Sequence, residues 1–126
     1  MFKTIAIDFD GVIHRYSKGW HDGSAYDVPM EEAFSRIQSY LVEYHVYILS
    51  TRDPEEIEEW LKKHKAPFKF EVILNPDRIK SWDKRGVVGI TNRKLIAALI
   101  IDDRALRFQG WNGIPDNLQA YVQLQV

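Results

Sequence analysis

The chain has 126 residues, 45% of them hydrophobic, and its 17 Lys and Arg against 18 Asp and Glu give a formal net charge of −1. That size and apolar content suit one domain over 1–126 with a core of its own, and the near-neutral charge gives no general pull toward nucleic acid or an anionic membrane. The absence of cysteine excludes disulfide and thiolate chemistry, and no apolar run approaches the ~20 residues of a membrane span.

The N-terminus runs straight into an apolar stretch with no room for a signal peptide, so a cytoplasmic location is expected. Ile5, Ala6, Ile7 and Phe9 read as a short strand buried on both faces. It ends in Asp8-Phe9-Asp10-Gly11. Side chains alternate along a strand, so Asp8 and Asp10 should point the same way from its C-terminal end, the edge where open α/β sheets carry their sites. Adjacent carboxylates repel unless a cation lies between them, and Mg²⁺, a hard cation that takes oxygen ligands, resolves the conflict. Gly11 allows a sharp turn and close approach to a ligand.

Residues 11–28 form a long connection that leaves the same strand end and should lie over the site. It contains Trp20, together with His14 and His21, which either orient a phosphate or make loop contacts. Pro29 and the spacing of Met30, Ala33, Phe34, Ile37, Leu41 and Tyr44 predict a helix over about 29–44. Val46–Leu49 reads as a second buried strand, ending in Ser50-Thr51-Arg52. Asp53 as cap, Pro54 at the first position and Glu56 reaching back predict the next helix start, and Ala66-Pro67 its end.

Phe70–Leu74 is a third strand. Residues 78–94 read as irregular and basic, with Arg78, Lys80, Lys84, Arg85, Arg93 and Lys94 against Asp83 alone. The apolar run Leu95–Ile101 should end in a fourth strand before Asp102-Asp103, and 120–124 alternates as an edge strand would. Strands alternating with helices predict a three-layer, Rossmann-like α/β domain around a central parallel sheet of about five strands.

Three strand ends then carry polar groups: Asp8 and Asp10, Ser50 and Thr51, Asp102 and Asp103. Over residues 4 to about 108 this pattern resembles the haloacid dehalogenase-like superfamily. Asp8-Phe9-Asp10-Gly11-Val12 is similar to its first motif, Ile48-Leu49-Ser50-Thr51 to its second, and Ile100-Ile101-Asp102-Asp103 to its fourth. The resemblance implies a Mg²⁺-dependent phosphatase that works through an aspartyl-phosphate, with Asp8 as nucleophile and Asp10 as general acid/base. It gives Ser50 the phosphoryl group to hold and assigns metal binding to Asp8, Asp10, Asp102 and Asp103. The third motif is a lysine. Arg93-Lys94-Leu95 before Ile101-Asp102-Asp103-Arg104 is similar to compact members, which favours Lys94 over Lys80 and Lys84.

Residues 11–28 and 75–93 are too few for the cap domains of larger relatives, so a capless site is expected. Gly11, Thr51, Arg52, Trp20, Trp82 and Arg85 form the expected substrate-binding set, with the tryptophans placed to stack on a base and the basic loop to receive anionic groups. The expected partner is a small phosphorylated molecule, a nucleotide before a sugar phosphate, with no membrane and with nucleic acid disfavoured but left open. The alternatives are a receiver-like phosphoacceptor and a non-catalytic domain of the same fold.

Overall fold

The computed structural model describes residues 2–122. The apolar stretches form five strands: β1 (Lys3–Asp8), β2 (Tyr44–Leu49), β3 (Lys69–Val72), β4 (Val87–Thr91) and β5 (Leu99–Ile101). All pair in parallel, in the order β3-β4-β2-β1-β5. Two helices, α1 (Ala33–Tyr40) and α2 (Pro54–Lys63), pack on one face. There Ile5 and Ile7 of β1, Val46 and Ile48 of β2, and Val88 and Ile90 of β4 meet Ile37, Ile57, Trp60 and Leu61. A helix as short as α2 is marginal alone. Burial of Ile57 and Leu61, at ~1.5–3 kcal/mol each, outweighs that deficit.

The other face buries Ala6, Tyr47, Ile73, Trp82 and Leu95 under the connections 73–86 and 92–98, which hold no α-helix. No helix among the described residues is long and apolar enough to cross a membrane.

Several local expectations change. Helix α1 is shorter than 29–44 because the Met30 N–H donates to the Ile13 carbonyl at 2.7 Å, drawing 29–30 into extended pairing with the loop, while Tyr44 joins β2. The fourth strand in chain order lies inside the stretch read as irregular. Val87-Val88-Gly89-Ile90-Thr91 alternates poorly because Gly89 interrupts it. A Cβ there would meet the Trp82 ring and Ile73 Cδ1 at 2.8 Å, so the glycine makes room for a buried tryptophan. Ala120 and Tyr121 form a turn and Val122 is not in a strand; Gln123 and Leu124 lie outside the described residues. The fifth strand of the sheet is therefore β4 rather than a C-terminal edge strand. Asp53 does cap α2, accepting from the Glu55 N–H at 3.1 Å, but Glu56 does not reach back. Its oxygens accept instead from Arg52 at 3.3 Å and from the Ala25 N–H at 3.2 Å.

Candidate active site

Sheet order builds the site. Strand β1 lies between β2 and β5, with Asp8 level with Leu49 and Ile7 level with Ile101. One residue further along the neighbours stand Ser50 and Asp102, so three segments distant in sequence deliver side chains around Asp8. A cavity of about 430 Å³ opens there, lined by Asp8, Asp10, Ser50, Thr51, Lys94 and Asp102. Tyr16, Trp20, Leu49, Asn92, Ile100 and Arg104 complete its wall.

Asp8, Asp102 and Asp103 each place a carboxylate oxygen within 4.8 Å of the others. Backbone N–H groups orient two of them: Phe9 donates to Asp8 at 2.9 Å and Arg104 to Asp102 at 2.7 Å. Gly11, at φ +83°, lies directly against the Asp103 carboxylate, and a Cβ there would overlap it. Burial pushes the Asp8 carboxyl up to about 7, with Asp102, Asp103 and Asp10 adding like-charge repulsion. An all-carboxylate donor set under mutual repulsion fits a hard divalent cation such as Mg²⁺. Mg²⁺ is therefore expected to raise the melting temperature, by the equivalent of ~2.7 kcal/mol at one hundred times Kd. In Asp102→Ala that gain should vanish in a calorimetric titration; if it persists, the ion lies elsewhere.

Asp10 belongs to a different network. Its Oδ1 faces His14 Nδ1 at 2.8 Å, and Arg52 Nε donates to Oδ1 and Oδ2 at 3.0 and 2.8 Å. His14 is fully buried, and its Nε2 accepts from the Asp27 N–H at 2.9 Å. That acceptance leaves Nδ1 as the protonated nitrogen, donating to Asp10. Burial opposes ionisation of Asp10, yet the His14 and Arg52 hydrogen bonds outweigh it and hold the carboxyl below its usual value. The aspartates two residues apart thus have opposite tendencies, Asp8 up and Asp10 down.

Arg52 is buried and its donors are engaged: Nε with Asp10, one terminal nitrogen with the Gly23 carbonyl at 2.7 Å and Glu56, the other with the Ser24 carbonyl at 3.4 Å. It anchors the 11–28 connection to the site rather than lining the cavity. Lys94 does line it. The neighbouring Leu95 is pinned by Tyr47, whose buried hydroxyl accepts from the Leu95 N–H at 3.0 Å and donates to the Leu95 carbonyl at 2.8 Å. Lys84 instead pairs with Glu71 at 2.7 Å.

Of the expected binding set only Trp20 and Thr51 line the cavity; Gly11 lies against Asp103 and Arg52 anchors the loop, while Trp82 and Arg85 stand apart from the site. Trp82 is buried in the core, its Nε1 donating to the Val87 carbonyl at 2.8 Å. The Arg85 guanidinium lies 4.1 Å from the Phe2 ring, just before β1 begins. The reason is topological. A crossover between parallel strands must return to the opposite sheet edge, and 73–86 carries Arg85 there with it. Sequence reading missed Tyr16, Asn92 and Arg104; Arg104 directly follows Asp102-Asp103, and that adjacency was the available signal.

Fold and site together define a parallel α/β domain with a cation-competent carboxylate cluster at the C-terminal edge of its sheet. Comparison of the chain with protein-family models, with curated proteins and with solved structures finds no match.

Proposed function

We propose that this protein is a Mg²⁺-dependent phosphomonoester hydrolase of the haloacid dehalogenase-like type. The observation that carries the reading is the convergence of Asp8, Asp10, Ser50, Lys94 and Asp102 on one cavity. The all-parallel five-stranded sheet is consistent with that superfamily. Strand β3 lies at the far edge, separated from β1 by β4 and β2, which disfavours a receiver-like module with its acceptor on the third strand.

Asp8, Asp102 and Asp103 would hold the cation, which would supply positive charge to offset the repulsion of the Asp8 carboxylate for an anionic ester. Asp8 attacks phosphorus; the ester P–O bond breaks and the leaving oxygen takes a proton from Asp10, which must enter this step protonated against the pull of His14 and Arg52. Water then attacks the aspartyl-phosphate, Asp10 accepts its proton, and Asp8 is released. The Ser50 hydroxyl and Lys94 ammonium steady the charge spread over the phosphoryl oxygens. Ionised Asp10, held by Arg52 and His14, is ready for the base role of the second step.

Hydrolysis of p-nitrophenyl phosphate and of alkyl phosphates, with and without Mg²⁺, tests the reading. Wild type should require the ion. Asp10→Asn should lose ~10²–10⁴-fold on alkyl esters, where the leaving oxygen needs a proton. On p-nitrophenyl phosphate it should release one burst of nitrophenolate and then stall as the phospho-enzyme. Absence of that burst, with the first step slowed equally on both classes, counts against the acid/base assignment, and Mg²⁺-independent turnover counts against the site.

A further inference from the structure

Resting on the phosphatase reading, we propose that Trp20 selects the substrate by stacking a planar heteroaromatic group carried by the leaving alcohol, which makes nucleoside 5′-monophosphates preferred over bare sugar phosphates. Trp20 lines the cavity and is 51% exposed. Its position is fixed. The Arg52 guanidinium lies 5.6 Å from the ring centroid, within cation–π range. The Trp20 carbonyl accepts from the Gly23 N–H at 2.7 Å, and a Cβ on Gly23 would stand 3.0 Å from the ring. A ring held from beneath and open to the cavity is a stacking platform whose ordering cost is already met in the free protein.

The side of the site follows from Arg52. The same guanidinium that supports the ring grips both oxygens of Asp10. Asp10 acts on the leaving-group oxygen, so the platform lies beside the leaving alcohol and not beside the phosphoryl group. Its reader is therefore the organic part of the ester. The cavity, about 430 Å³, falls in the ~300–1,000 Å³ range of small-ligand sites.

The test compares adenosine 5′-monophosphate with ribose 5-phosphate, which differ by the base alone. p-Nitrophenyl phosphate carries a ring and is no control. In wild type the kcat/KM ratio of nucleotide to sugar phosphate should be about tenfold. Trp20→Ala should collapse the ratio to near one through the nucleotide's KM, and Trp20→Phe should restore most of it. Trp111→Ala, at an exposed tryptophan outside the cavity, should leave the ratio as in wild type. A wild-type ratio near one, or a ratio unmoved in Trp20→Ala, overturns the proposal and leaves the phosphatase reading standing. No Mg²⁺-dependent turnover of any ester overturns both.

Discussion

Asp8→Asn is expected to reduce phosphatase turnover by at least ~10³-fold while leaving the domain folded and, above neutral pH without Mg²⁺, more stable than wild type. On the proposed mechanism the activity loss follows from removing the attacking oxygen, together with one of the three carboxylates of the cluster. The stability gain follows from linkage. The Asp8 carboxyl has a folded value of about 7 against 3.8 in the unfolded chain, raised by burial and then by its acidic neighbours. Below 3.8 both states are protonated and the group costs nothing. Between 3.8 and about 7 the unfolded chain gives up the proton that the folded protein keeps, so stability falls as pH rises through this window, with the full cost present above it. The amide carries no charge and escapes that cost. After discounting for solvent screening of a half-buried group, the gain should be ~1–3 kcal/mol at pH 8 and small near pH 4. Urea denaturation at the two pH values measures it. A gain independent of pH, or turnover near wild type, would sink the assignment. Saturating Mg²⁺ should reverse the order, because only wild type keeps the complete cluster.

The largest stability loss is expected from Arg52→Ala, ~3 kcal/mol or more. The substitution leaves Asp10 paired with His14 alone and strips donors from the Gly23 and Ser24 carbonyls and from Glu56. The 11–28 connection loses its anchor at the same moment, so turnover of alkyl esters should fall with stability. Arg52→Lys restores charge but not the planar fork that reaches Asp10, Gly23 and Ser24 together, and should recover only part of either loss. A double-mutant cycle of Arg52→Ala with Asp10→Asn isolates the pair. Strong coupling is the expected result, because much of the single-mutant cost is an uncompensated carboxylate. Additive losses would mean that Arg52 acts through packing alone.

The residues legible in the sequence were those whose local pattern and chemistry coincide. An apolar run ending in Asp8-Phe9-Asp10-Gly11, and a second ending in Asp102-Asp103, announce strands and acids within a few residues of each other. The parallel α/β class follows from that punctuation, since periodicity and turn residues are short-range properties of the chain. The basic stretch 78–94 defeated the same logic. Gly89 broke the strand pattern, and its purpose is visible only against the Trp82 ring it accommodates.

What tertiary structure alone decided is which polar residues share a space. Composition made Trp20 and Trp82 equal candidates, yet one lines the cavity and the other fills the core. Arg85 and Lys94 were both cations of the basic stretch 78–94, and the obligatory return of a parallel crossover sends Arg85 to the far edge of the sheet. Asp8 and Asp10 looked alike in sequence. The structure surrounds one with carboxylates and the other with Arg52 and His14, moving their proton affinities in opposite directions. Sequence determined four of the five strands and the residue types at their ends, because backbone preference is local. Strand order and long-range pairing determined the electrostatics, because charge interactions depend on distances through space that the order of residues does not encode.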